Sequence, residues 1–138
     1  MLKRYGGKGT WAVVTGASDG IGAEFCRQLA EDGFNICLVS RTKEKLDAVE
    51  AELKQIAPNV ETMVIQADFS DNANIEFYKG IIRQIVQKDV GFIVLNAGIG
   101  TRVPLGECDP KLSQNLLDTN VYHVATLMKL LLPVLENR

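Results

Sequence analysis

The sequence predicts an α/β protein organised around a doubly wound parallel sheet, and three observations carry that expectation. Short apolar runs alternate with amphipathic helical patterns from Trp11 onward, joined by brief connections. The apolar runs are continuous rather than alternating, as suits strands covered on both faces. A glycine-rich segment, Thr15-Gly16-Ala17-Ser18-Asp19-Gly20-Ile21-Gly22, lies between the first such run and the first helical pattern. Residues 1–10 read as a lead-in and residues 11–138 as the domain.

Taken in order, Trp11-Ala12-Val13-Val14 is the first strand. Ile21, Phe25 and Leu29 then share one helical face, which stops at Asp32-Gly33. Phe34 to Val39 is a second strand. The next helix starts near Thr42, a suitable N-cap, and buries Leu46, Val49, Leu53 and Ile56. Lys43/Asp47 and Glu50/Lys54 support it as i,i+4 pairs, and Pro58 ends it. A third strand runs from about Val60 to Ala67, followed by a helix with Ile75, Tyr78, Ile82 and Ile85 on its buried stripe. Phe92 to Leu95 is a fourth strand leading into Asn96-Ala97-Gly98-Ile99-Gly100. The last helix opens near Asp109-Pro110, where proline fits the first turn. Connections of this kind imply parallel strands with right-handed crossovers.

A strand that passes through glycines into a helix N-terminus is an anion site, because unpaired backbone N–H groups and the helix dipole converge there. Gly16 permits the sharp turn, Gly20 lets a pyrophosphate approach the backbone, and Gly22 lets helix and strand pack closely. The segment is therefore expected to bind a dinucleotide. It lacks the G-K-[ST] ending of a P-loop, which disfavours that other class of phosphate binder. Arg41 follows the second strand, where a guanidinium can grip a ribose 2′-phosphate or simply remain solvated. Ser40 precedes it, so no carboxylate there repels such a phosphate; Asp19, an acid in the turn itself, works the other way.

Composition narrows the remaining classes. The formal net charge is −2 and no basic block stands out, so a nucleic-acid surface is not expected. Cys26, Cys37 and Cys108 have neither C-x-x-C spacing nor an even count. Neither a metal site nor a disulfide framework is expected, and a reducing compartment is. The stretch from Val121 to Leu135 contains His123 and Lys129 and is short for a bilayer, while the basic N-terminus has no apolar signal core. The chain reads as soluble.

Four motif positions together resemble the classical short-chain dehydrogenase/reductase family: the T-G-x-x-x-G-x-G turn, Asp68 after the third strand, Asn96-Ala97-Gly98, and Asn120 in the last helix. Tyr5 to Gly22, with Gly33-Phe34-Asn35-Ile36 and Leu38 to Thr42, looks like the branch of very-long-chain 3-oxoacyl-CoA reductases and 17β-hydroxysteroid dehydrogenases. The resemblance implies a Rossmann-type sheet of which this chain supplies the N-terminal portion, about four strands of a larger single domain. It implies NADP(H) as cofactor and reduction of a lipid or steroid carbonyl, on the cytosolic face of the endoplasmic reticulum. Its cofactor-binding set is Gly16, Ser18, Asp19, Gly20, Ile21, Gly22, Arg41, Asp68, Phe69, Asn96, Ala97 and Gly98.

The same resemblance makes Asn120 catalytic, through a helix distortion whose freed carbonyl holds a relay water; the alternative is an amide that only pins the helix. Asp68 could likewise be a turn former, and Asn96 is expected to hold strands together through its amide. His123 reads as partly exposed and structural. The long last helix could serve as a homo-oligomer interface, or its Leu116, Val124, Leu127 and Leu131 could face the chain's own sheet. Leu95 stands where the family often has asparagine. None of Tyr5, Tyr78 or Tyr122 has a lysine four residues later, so the family's Y-x-x-x-K pair is absent. The alternative function is an NADP(H)-binding or regulatory module that transfers no hydride.

Overall fold

The computed structural model describes residues 5–70 and 74–137. The basic residues Met1 to Arg4, part of the expected lead-in, lie outside the described residues. Four parallel strands, β1 (Trp11–Thr15), β2 (Asn35–Ser40), β3 (Thr62–Gln66) and β4 (Val90–Leu95), form one sheet in the order β3-β2-β1-β4. The chain builds the sheet outward through β2 and β3, then crosses back to place β4 on the opposite side of β1. The C-terminal ends of β1 and β4 therefore flank the point where strand order reverses, which is where such sheets bind ligands.

β1 and β2 are buried along their whole lengths because helices cover both faces. Ala12, Val14, Ile36 and Leu38 point to one side and pack beneath helices α1 (Gly20–Glu31) and α2 (Lys43–Ile56). Trp11, Val13, Cys37, Val39 and Ile65 point to the other. There they meet α3 (Ile75–Ile85) and α5 (His123–Glu136). Between β4 and α5 run a short 3-10 turn (Leu105–Glu107), helix α4 (Pro110–Leu117) and a π-helical segment, Asp118–Tyr122. Residues 110–136 thus form one continuous helix with a widened turn in its middle.

Several local expectations hold. Asp109 caps α4, accepting from the Lys111 N–H, and Pro110 opens it. Gly33 adopts φ +96° after α1. Lys43 pairs with Asp47, and Lys54 with Glu50 at 2.9 Å. Cys26 and Cys37 are buried, and desolvation pushes both thiols up to about 12.

Other expectations are corrected. In α1 the buried set is Gly22, Ala23, Cys26, Leu29 and Ala30, while Ile21 and Phe25 are exposed. The helix lies so close to the sheet that small residues form its inner face, turning the larger apolar ones outward. Ile56 and Ile75 are exposed at helix ends for lack of a facing element. Thr42 makes no side-chain cap bond. His123 is fully buried rather than partly exposed, because the π segment turns it inward toward β1.

Leu127 and Leu131 of the last helix are buried against the sheet, and Leu116 and Val124 are half-buried. The exposed large apolar residues of this helix are instead Leu117, Val121, Tyr122, Met128 and Leu132, and all but Tyr122 fall on one stripe. β4 is an edge strand among the described residues, with Gly91 to Leu95 only half-buried.

Candidate functional site

A cleft of about 330 Å³ opens over the C-terminal ends of the strands. It is lined by Gly16, Ser18, Asp19, Ser40, Arg41, Asp68, Phe69, Asn96, Ala97 and Gly98 among the residues singled out from sequence. Gly20, Ile21, Gly22 and Asn120 are not in its wall, but Gly20 to Gly22 form the first turn of α1 beside it.

The glycine turn is held by backbone geometry. Gly16 adopts φ +67°, and its N–H donates to the Val39 carbonyl at 2.8 Å. A Cβ on Gly22 would lie 2.1 Å from the Gly16 carbonyl oxygen, so only glycine lets α1 start this close to β1. Gly20, by contrast, faces open space. Asp19 caps α1 by accepting from the Gly20 N–H at 2.8 Å, and its second oxygen receives Lys45 Nζ at 2.9 Å. The Lys45 hydrogen bond, then the Gly20 one, holds the Asp19 carboxyl below its ordinary pKa.

At the end of β2, the Ser40 hydroxyl is 2.8 Å from that of Ser18, which fastens the strand end to the turn. Arg41 is exposed at the rim. Asp68 accepts from both the N–H and the hydroxyl of Ser70, at 2.9 and 2.7 Å, so it does form a turn. Burial works to raise its carboxyl, but the two Ser70 bonds and the Arg41 charge together hold it below the usual range. Phe69 turns its ring into the core, stacking on His123 at 4.4 Å and on Tyr78 at 6.0 Å, so its side chain belongs to the core.

On the other wall, Asn96 donates from Nδ2 to the Thr15 carbonyl at 3.2 Å and from its N–H to Thr15 Oγ1 at 3.0 Å. Its amide thus joins β4 to β1, as expected. The Asn120 side chain donates to the Ile99 carbonyl at 2.8 Å and accepts from the Ile99 N–H at 2.9 Å. Asn120 sits in the π segment, where the His123 N–H reaches back to the Asp118 carbonyl. The helix is therefore distorted at Asn120, and the Asn120 amide also pins the neighbouring loop; both features coexist.

Lys45 and Thr119 line the cleft and Thr15 supports it through hydrogen bonds, and none of the three was among the site residues expected from sequence. Thr15 is a hydroxyl ending an apolar strand, which is itself a signal for a buried polar partner. Tyr78 is buried and pushed up to about 12 by desolvation, which unsuits it as a proton donor of lowered pKa. Among the described residues no group of histidine, cysteine or carboxylate side chains could hold a metal ion.

Residues 10–138 match the family model described as short chain dehydrogenase. The chain belongs to that family. The very-long-chain 3-oxoacyl-CoA reductase of Podospora anserina is 42% identical over 139 aligned positions, covering 99% of this chain and 41% of that protein. A metagenomic short-chain oxidoreductase in complex with NADP superposes with a TM-score of 0.82 at 31% identity, over 92% of this chain and 57% of that one. A 7β-hydroxysteroid dehydrogenase reaches a TM-score of 0.87 over 99% of this chain and 51% of that one; at 24% identity this is a likeness of fold. The chain spans about two-fifths of the length of the curated relatives it matches. The four-stranded parallel sheet and its strand-to-helix glycine turn thus match part of the family's fold.

Proposed function

We propose that this chain is the NADP(H)-binding part of a short-chain reductase that converts a carbonyl to an alcohol. The observation that carries the reading is the pairing of Arg41 and Lys45 at the rim of the cleft, above a glycine turn whose adjacent strand end carries Ser40 instead of an acid. Two cations on adjacent sides of one opening suit a doubly charged phosphate, and the Lys45 bond already offsets the charge of Asp19.

The residues fit a phosphorylated dinucleotide on further grounds. Gly20 is open to solvent at the N-terminus of α1, so its backbone can approach a pyrophosphate. The Thr119 hydroxyl is buried behind the cleft wall without a hydrogen-bond partner among the described residues, so a small rotation of its side chain would offer it to a ligand. When bound, NADPH would supply the hydride. In this reading Arg41 and Lys45 select the 2′-phosphate, Ser18 and the Gly20-Ile21-Gly22 turn receive the pyrophosphate, and Asp68 with the Phe69 backbone borders the adenine. Asn96, Ala97 and Gly98 shape the ribose wall, and Asn120 orders the relay side.

Likeness to the Podospora reductase makes a 3-oxoacyl-CoA the favoured substrate class, with a keto-steroid second. Residence at the cytosolic face of the endoplasmic reticulum is carried by the family resemblance alone. Among the described residues no helix is long and apolar enough to cross a membrane. The outward stripe of Leu117, Val121, Met128 and Leu132 supports an interface along the last helix.

The test is a fluorescence titration of both reduced cofactors. Arg41→Ala is expected to weaken NADPH binding about tenfold, the value of one charge-assisted contact, and to leave NADH within about twofold. Equal losses for both cofactors would remove the 2′-phosphate role, and no binding of either would remove the cofactor reading.

A further inference from the structure

His123 is the chain's one histidine, and the proposed chemistry gives it no part. It is fully buried, with its ring stacked on Phe69 at 4.4 Å and 27°. Both ring nitrogens are engaged. Nδ1 lies 2.6 Å from the Thr119 carbonyl, and Nε2 lies 3.1 Å from Thr15 Oγ1. A carbonyl can only accept, so Nδ1 carries the proton. Thr15 Oγ1 already accepts the N–H groups of Asn96 and Ala97, at 3.0 and 3.1 Å, so its own proton goes to Nε2. The imidazole is therefore neutral and of one tautomer, and burial, which lowers its pKa, acts in the same direction.

Its position gives the bond chain a consequence. In an α-helix the His123 backbone N–H would serve the Thr119 carbonyl, but here it reaches one residue further back, to Asp118. The His123 ring supplies a donor to that carbonyl instead. Thr119 is followed by Asn120, whose amide holds both polar groups of Ile99. The Asn96–Ile99 loop is thus gripped at its start through Thr15 and at its end through Asn120, and His123 joins the two grips.

We propose that His123 is a positioning residue for the nucleotide site: its imidazole clamps the π segment to the end of β1 and so sets the Asn96–Ile99 loop and the Asn120 amide relative to the glycine turn. The consequence for cofactor binding rests on the NADP(H) reading above; the clamp itself does not.

The experiment uses the 138-residue chain and four variants: His123→Phe, His123→Gln, Thr15→Val and the Phe/Val double. Phenylalanine keeps the ring on Phe69 and removes both hydrogen bonds, whereas the glutamine carbonyl can still accept from Thr15. Among variants whose near-ultraviolet circular dichroism shows the native fold, His123→Phe and Thr15→Val should each weaken NADPH binding about tenfold, the effect of one lost buried polar link. His123→Gln should recover most of that loss, and the double variant should be no worse than either single one. Additive losses, or full NADPH affinity in His123→Phe, would overturn the proposal.

Two ligand-free measurements keep the cofactor reading separable. If the unmutated chain binds no NADPH, that reading fails, and the clamp is decided by hydrogen exchange at the Ile99 amide. Faster exchange in His123→Phe supports the clamp; unchanged exchange overturns it. If His123→Phe does not fold, imidazole nitrogen shifts of the unmutated chain decide, since a proton found on Nε2 instead of Nδ1 contradicts the bond chain.

Discussion

At the scale of single residues, two glycines in this chain should respond in opposite ways to the same added methyl group. A Cβ at Gly22 would sit 2.1 Å from the Gly16 carbonyl oxygen and 2.7 Å from Asn96 Nδ2, so the turn and the β4 end must both move. Gly22→Ala is expected to cost about 3 kcal/mol, at the upper end of overpacking effects. Gly80 lies inside α3, where an added Cβ meets nothing within 4 Å. There alanine only reduces the entropy lost on folding, and Gly80→Ala should stabilise by about 0.5–1 kcal/mol. Urea unfolding of the two variants beside the parent checks both signs, and a neutral Gly22→Ala would mean that α1 does not start as close to β1 as described. The sequence pattern already assigned Gly22 to close packing, because the third glycine of such a turn meets the strand in any fold of this class. It could not reveal Lys45 beside Asp19 or Thr119 in the cleft wall, since those placements depend on where α2 and the π segment lie in space.

At the scale of elements, the order of strands and helices was legible because the strands have continuous apolar centres and the first two helices have distinct stops, at Asp32-Gly33 and Pro58. What periodicity misjudged was which side of α1 faces inward. Counting large apolar residues selects Ile21 and Phe25, whereas contact with the sheet selects glycine, alanine and cysteine. The π segment was invisible to periodicity for a related reason. One extra residue in a turn shifts the inward face only slightly, and here it moves His123 from a half-exposed position to a buried one.

That placement carries a pH dependence. His123 is held neutral in the fold by desolvation, with its pKa below the ordinary 6.5, while in the unfolded chain it can take up a proton. The unfolded state then binds more protons as pH falls, so His123's contribution is complete above about 6.5 and is lost progressively below it, by no more than about 1.4 kcal/mol per pH unit. Urea midpoints at pH 7.5 and 5.5 should separate by that kind of margin in the parent chain, by about 1 kcal/mol, and much less in His123→Gln. Carboxylates contribute equally to both chains, so an identical slope in the variant would show that His123 is not buried neutral.

At the scale of the whole molecule, the sheet has two strands on one side of β1 and one on the other among the described residues. β1 and β2 are covered on both faces, but β4 is an edge strand among the described residues, half-buried from Gly91 to Leu95, and more than half of the length of the Podospora relative lies outside the matched part. Two surfaces therefore compete to explain any association of this chain: the open edge of β4, and the stripe of Leu117, Val121, Met128 and Leu132. They differ in chemistry. The edge offers backbone hydrogen bonds, which side-chain charges across the molecule do not disturb, whereas the stripe offers apolar side chains alone. Val121 is 57% and Leu132 45% exposed, so V121E/L132E should change folding stability by less than about 1 kcal/mol while placing like charges across a paired helix face. Sedimentation velocity is expected to show the parent chain associating through the last helix and V121E/L132E sedimenting as a monomer. If the double variant associates as the parent does, the helix stripe is not the interface, and the β4 edge becomes the surface that draws copies together.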